Sequence, residues 1–266
     1  MRVAASVPAV PLDEKLIGAL HVQSLPEAEI SDGQGESGIF QASTIASLLD
    51  GNYEGDVSFA ELEGHGDIGL GTLNGCDGEM LALDGRFLRA DAEGDIHEVP
   101  PDAHTPFAVL AHFRPAHRFE LNDIASEDEL GAAIDSEVGH PEQVHALRIE
   151  GRFARVHARS VPKQEPPYRP LAEVVADQRV FDFSDVEGTV VGFRFPDVEE
   201  GLNVPGYHLH FVTADRRRGG HVLDCALRRG TVEVDDSVEV HLELPAGVEL
   251  GGPDDPDAVR GVEREG

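Results

Sequence analysis

Apolar and polar positions alternate with a period of two along most of the chain, the signature of half-buried strands. After an irregular stretch over residues 1–36, the run Phe40 to Leu49 reads as a short amphipathic helix closed by Asp50-Gly51. Ser58-Phe59-Ala60-Glu61 has the form of a capping box and opens a second short helix, which Gly64 stops. The period then changes to two. Ile68 to Leu73, Glu79 to Leu83, Phe87 to Ala90 and Ile96 to Val99 are strand candidates, punctuated by Asp77-Gly78, Asp84-Gly85 and Glu93-Gly94-Asp95. Phe107 to Phe113 adds a strand of the fully buried type. Ser126-Glu127-Asp128-Glu129 starts a helix to about Val138, with acids in the first turn as the helix dipole prefers.

Val144 to Ile149 and Phe153 to Ser160 read as a strand pair turned at Glu150-Gly151. The segment Val161 to Pro170 is too rich in proline for either regular state, so it connects two halves. A short helix (Leu171 to Ala176) follows, then strands at Val180–Phe183, Thr189–Phe195, Tyr207–Thr213, His221–Leu227 and Val238–Leu244. This pattern divides the chain into residues 1–36, a strand-rich part over 37–162 and a second over 163–266.

Tyr207-His208-Leu209-His210-Phe211 carries the first candidate chemistry. Side chains at i and i+2 of a strand share a face, so His208 and His210 point one way and Leu209 and Phe211 the other. Ala214 to Gly220 has no strand character, so the chain turns back as a hairpin and brings His221 beside the pair. Three imidazoles from neighbouring strands, with a further position open, are a way to hold a catalytic divalent metal. The competing reading makes them ordinary polar residues on an exposed hairpin face. Glu79 sits where a turn meets a new strand, and Arg159 ends a strand just before the proline-rich connector. Either can be a surface residue; alternatively Arg159 clamps an anionic substrate.

Charge alters the picture more than size does. The 266 residues include 51 acidic and 21 basic ones, for a formal net charge of −30. Such a chain has no basic field for nucleic acid or for an anionic membrane. With 40% of its residues hydrophobic and alternating, it reads as a folded protein with a carboxylate-rich surface suited to a salt-rich solvent, rather than as a disordered one. No apolar run approaches the ~20 residues of a membrane helix, and the N-terminus lacks the apolar core of a signal peptide. Cys76 and Cys225 are too few for a disulfide framework, so a cytoplasmic location is expected.

Taken together, several segments resemble the α-acetolactate decarboxylase family. They are Ser43-Thr44 with Leu49 to Asp56, Gly71-Thr72-Leu73-Asn74 with Asp77-Gly78-Glu79, Arg159 to Gln164 with Pro167-Tyr168, and Gly206 to Phe211 with His221. The resemblance runs from about residue 39 to 227 in the family's order and spacing. It implies an α+β fold of two β-sheet subdomains with a few short helices and the metal site between them. It implies a homodimer that converts 2-acetolactate to acetoin and carbon dioxide. It further implies zinc held by His208, His210 and His221, with Thr72, Glu79 and Arg159 as polar site residues. A glutamate near the C-terminus is also implied, for which Glu263 is the better match and Glu265 the fallback. Cys76, where an aliphatic residue is commoner, is expected to act as a small buried hydrophobe. Two alternatives remain at this point: a cupin-like metalloenzyme, whose signature also includes His-x-His on a hairpin, and a non-catalytic metal-binding or small-molecule-binding protein.

Overall fold

Alternation of period two yields two large sheets. The computed structural model describes residues 21–23, 38–140, 143–196, 203, 205–237 and 239–244. Across the first sheet lie, in spatial order, β1 (His21–Gln23), β15 (Glu239–Glu243), β2 (Ile39–Ala42), β9 (Phe107–Ala111), β4 (Ile68–Thr72), β5 (Glu79–Leu83), β6 (Arg86–Ala90) and β7 (Ile96–Glu98). The second runs β10 (His117–Ile124), β14 (Gly219–Ser237), β11 (Val144–Ser160), β12 (Arg179–Phe195) and β13 (Gly206–Thr213). Strand β13 also pairs with the start of β14, which closes β11 to β14 into a ring. A small pair, β3 (Val57–Ser58) with β8 (His104–Thr105), stands apart. Sheet membership crosses the boundary at residue 162. Strands β10 and β11 precede the proline-rich connector yet belong to the second sheet, and β15 follows it yet pairs in parallel with β1 and β2.

The helices are short, apart from α3 (Glu127–Val138), which Ser126 caps by accepting from the Glu129 amide. The capping box read at Ser58 is present at the head of α2 (Phe59–Leu62). The single helix expected over Phe40 to Leu49 is instead strand β2 followed by α1 (Ile45–Leu49). All four residues of β2 are buried inside the sheet, which removes the polar face an amphipathic helix needs. Ser43 then turns the chain with φ +65°, and the Thr44 hydroxyl accepts from Ser47 N at 3.2 Å to start the helix.

The hairpin expected at Glu150-Gly151 is absent. Strand β11 runs unbroken for 17 residues, β12 likewise for 17, and β14 for 19. Gly151 is in register with Gly188 of β12 on one side and Gly230 of β14 on the other. These glycines serve close approach of the strands rather than a turn: a methyl group on Gly151 would lie 2.5 Å from the Arg229 carbonyl oxygen. Strand β10 was not foreseen, because its sequence HRFELNDI is mostly charged or polar and only Ile124 is buried.

Apolar side chains weld the two sheets. Ile68, Leu70, Phe107 and Val109 of the first pack in one cluster with Val144, Ala146, Phe193 and Phe195 of the second, together with α1 and α4 (Leu171–Val175). Leu81, Leu83 and Leu88 meet Val191 and Val212. On the far side of the second sheet, Leu130, Ile134 and Val138 of α3 cover Leu147, Phe153 and Phe211. Each such fully buried side chain contributes roughly 1.5–3 kcal/mol. Backbone bonds also stitch the β13–β14 turn to the loop before β7: Ile96 N donates to Arg217 O at 2.9 Å and Gly219 N to Gly94 O at 3.0 Å. Among the described residues, no helix is long and apolar enough to cross a membrane.

Candidate active site

Strand alternation and hairpin register bring the three histidines together. His208 and His210 share a face of β13, while Leu209 and Phe211 point into the core under α3. His210 is the cross-strand partner of His221 on β14. All three imidazoles are buried, their ring centroids are 5.1 to 5.4 Å apart, and one nitrogen from each lies within 4.8 Å of the others. The exposed-face reading is therefore set aside. His210 Nδ1 is 2.7 Å from the Met80 carbonyl oxygen, which can only accept, so Nδ1 carries a proton and, in the neutral ring, Nε2 carries the lone pair.

The polar residues named from the sequence converge on the same place. Glu79, at the first position of β5, puts Oε2 3.5 Å from His210 Nε2. Arg159 is the direct cross-strand partner of His221 on the other edge of β14. It is 5% exposed; one Nη–H reaches Gln178 Oε1 at 3.4 Å, and its Nε–H has no acceptor among the described residues. A buried guanidinium with a donor to spare suits an anionic ligand. The Thr72 hydroxyl donates to Gly78 O at 2.8 Å and so closes the turn between β4 and β5. Within that turn Gly75, Cys76 and Gly78 all have positive φ, which places Cys76 against Thr72 and Glu79. Burial, reinforced by the Glu79 carboxylate, pushes the Cys76 thiol up to about 12. Cys76 thus behaves as the small buried hydrophobe expected.

These groups line one small cavity of about 40 Å³. Its polar lining is formed by His208, His210, His221, Thr72, Glu79 and Arg159; its apolar lining, from Ile45, Leu48, Phe107, Val161 and Leu171, belongs to one core cluster. Sequence reasoning found the polar side and missed the apolar one, since lining residues of that kind carry no mark that separates them from core. Glu263 and Glu265 lie outside the described residues. A larger open groove crosses the glycine row of the second sheet, but its Arg148, Arg152 and Arg216 are engaged by Asp84, Glu150 and Asp185.

The donor set fits a divalent transition metal. Three neutral-capable imidazoles, buried and mutually within ligating distance, suit zinc, and a carboxylate beside them leaves room for a ligand. The hydrogen bond to Met80 is the kind of outer contact that orients a metal-bound histidine.

A sequence profile described as alpha-acetolactate decarboxylase matches residues 39–250. The chain belongs to the α-acetolactate decarboxylase family. The α-acetolactate decarboxylase of Methylococcus capsulatus is 43% identical over 213 residues, 80% of this chain and 82% of that protein. The one from Klebsiella aerogenes is 42% identical over 211 residues, 79% of this chain and 81% of that protein. The crystal structure of α-acetolactate decarboxylase from Bacillus subtilis strain 168 superposes with a TM-score of 0.83 at 36% identity, over 86% of this chain and 100% of that one. This α-acetolactate decarboxylase family member shares with that structure a fold dominated by β-sheet with a few short helices. Membership in the family sets aside the cupin-like and the non-catalytic binding-protein alternatives.

Proposed function

We propose that this chain is a carboxy-lyase that converts 2-acetolactate to acetoin and carbon dioxide in the cavity between its two sheets, with zinc held by His208, His210 and His221. The observation that carries the reading is the cavity itself: three buried imidazoles within ligating distance, facing Glu79 and Arg159, in a member of this family. We assign the active form to a cytoplasmic homodimer.

The reaction breaks the bond between C2 and the carboxylate and leaves its electron pair as an enediolate, with charge on the neighbouring ketone oxygen. Zinc held by His208, His210 and His221 would supply a Lewis acid for that charge. Arg159 holds the carboxylate before cleavage with an Nε–H that has no acceptor among the described residues, and it balances the developing negative charge. Glu79, 8% exposed, delivers a proton to C2 as the enediolate collapses to acetoin, and regains one from solvent. Thr72 shapes the turn that carries Cys76 and sets the start of β5, through its bond to Gly78 O. Glu263, or Glu265 in its place, supplies a second carboxylate from the C-terminal tail. The apolar wall excludes water from the charged intermediate, which strengthens every electrostatic contact around it.

The test is direct. Purified protein incubated with racemic 2-acetolactate should release acetoin and carbon dioxide in equal amounts, and a zinc chelator should abolish this until zinc is restored. Absence of acetoin with metal loaded would overturn the reading.

A further inference from the structure

The cavity combines a polar and an apolar lining, and the substrate has the same asymmetry. 2-Acetolactate, 2-hydroxy-2-methyl-3-oxobutanoate, carries three oxygen functions and two alkyl groups around adjacent carbons. The polar groups of the cavity are the three histidines, Glu79, Thr72 and Arg159, while its apolar lining residues all come from one core cluster. Oxygen functions turned the other way would be buried without partners, a cost of about 1–3 kcal/mol each. The substrate's oxygen functions therefore favour the polar lining and its alkyl groups the apolar one. With the carboxylate at Arg159 and the ketone and hydroxyl toward the histidines, the remaining substituent on tetrahedral C2 is left to the apolar lining.

This apolar wall draws three of its five residues, beside Phe107 and Val161, from two five-residue helices that pack on each other. Ile45 and Leu48 come from α1, and Leu171 is the first residue of α4. Its backbone is fixed. The Tyr53 hydroxyl donates to the Arg169 carbonyl at 2.9 Å, just ahead of α4. Gly51, at the end of α1 with φ +87°, presses so closely on the same carbonyl that an added methyl would lie 2.9 Å from it. The first turn of α1 is capped by Thr44. A wall anchored at these points cannot easily retreat from a larger ligand.

We propose that Leu171, with Ile45 and Leu48, determines specificity by setting the size of the alkyl group accepted at C2. The proposal rests on the decarboxylase reading above. A single methylene in a hydrophobic pocket discriminates by about 10–200-fold. Shortening Leu171 should therefore shift preference toward the ethyl homologue, 2-ethyl-2-hydroxy-3-oxobutanoate.

The experiment measures kcat/KM for the methyl and ethyl substrates with zinc-loaded wild type, Leu171→Ala, Leu48→Ala and Val174→Ala. Val174 is buried in the same cluster on α4 but does not line the cavity, so its truncation controls for general loosening. Leu171→Ala and Leu48→Ala are expected to raise the ethyl-to-methyl ratio by about tenfold, while Val174→Ala leaves it where wild type has it. If Leu171→Ala does not fold, Leu171→Val and the pocket-narrowing Leu171→Phe decide in its place, moving the ratio up and down respectively. An unchanged ratio in the cavity variants, or an equal shift in Val174→Ala, would overturn the proposal. A wild type that makes no acetoin from the methyl substrate would overturn the decarboxylase reading instead, so the two failures are distinct.

Discussion

His210 donates from Nδ1 to the main-chain oxygen of Met80 across 2.7 Å, and the two residues belong to different sheets. Met80 follows Glu79 on β5, so one strand supplies both a candidate proton donor and the acceptor that fixes the tautomer of a candidate metal ligand. The Met80 side chain points the other way, into the cluster around Phe59 and Phe87. The ligand face of His210 is therefore oriented only when the first sheet is folded and docked on the second. Arg159 repeats the logic within the second sheet, where register alone sets it beside His221. The site is a property of the complete fold rather than of either sheet.

The first prediction concerns the metal. Purified protein should carry about one zinc per chain, as three-ligand catalytic sites do. His208→Ala, His210→Ala and His221→Ala should each lose most of it, read by elemental analysis after dialysis. A variant that kept stoichiometric zinc and full turnover would remove that histidine from the site.

How much of this could be read beforehand depended on whether the signal was local. The placement of His208 and His210 on one face follows from strand alternation, and the return of His221 from a hairpin of ordinary length, so both were legible. The capping box at Ser58 was legible for the same reason. The convergence of Glu79, Thr72 and Arg159 on the histidines was legible only through likeness to a family, because it depends on pairings over many tens of residues. Gly151 misled: glycine marks both tight turns and close approach of backbones, and periodicity does not tell them apart. Strand β10 was hidden by its edge position, where half-exposed charged residues mask alternation. Ile45, Leu48 and Leu171 were unreadable as cavity residues because an apolar wall and an apolar core use the same side chains.

A second prediction follows from the glycine row. Gly188→Ala would put a methyl 2.4 Å from Val212 O and from the Phe211 ring, an overpacking typically worth about 1–3 kcal/mol. Its urea midpoint should fall accordingly. Gly64→Ala, whose added methyl finds its nearest neighbour at 3.8 Å, should fall far less. Equal midpoints for the two variants would contradict the close packing of β12 against β13.

Thiol reactivity gives a third. Burial pushes Cys76 and Cys225 each up to about 12, and only the thiolate is nucleophilic. At pH 8 the native protein should resist iodoacetamide, and both cysteines should label once it is unfolded. Rapid labelling of Cys76 in the folded enzyme would show that the cavity turn opens.

Charge supplies the fourth. A net charge of −30 makes the folded chain repel itself, and the repulsion weakens as the screening length falls from about 10 Å at 0.1 M salt to about 3 Å at 1 M. The melting temperature should rise steadily with potassium chloride up to molar concentration. A flat or falling series would contradict a salt-adapted surface.

The last prediction separates an enzyme from a metal-binding shell. Glu79 and Arg159 both border the histidine cluster, yet neither is assigned as a zinc ligand. Glu79→Gln keeps the size and hydrogen-bonding shape of the side chain but cannot release a proton, and loss of acid–base catalysis typically costs ~10²–10⁴-fold in rate. Arg159→Lys keeps the positive charge and gives up the planar, forked donor set, so turnover should still drop. Zinc content and acetoin formation, measured together on each variant, decide the matter. Retained zinc with depressed turnover supports the roles assigned to both residues. Loss of zinc along with activity would place them instead in the scaffold that holds the histidines. Near-native turnover with zinc in place would remove them from the chemistry and leave the apolar wall and the metal to account for the reaction.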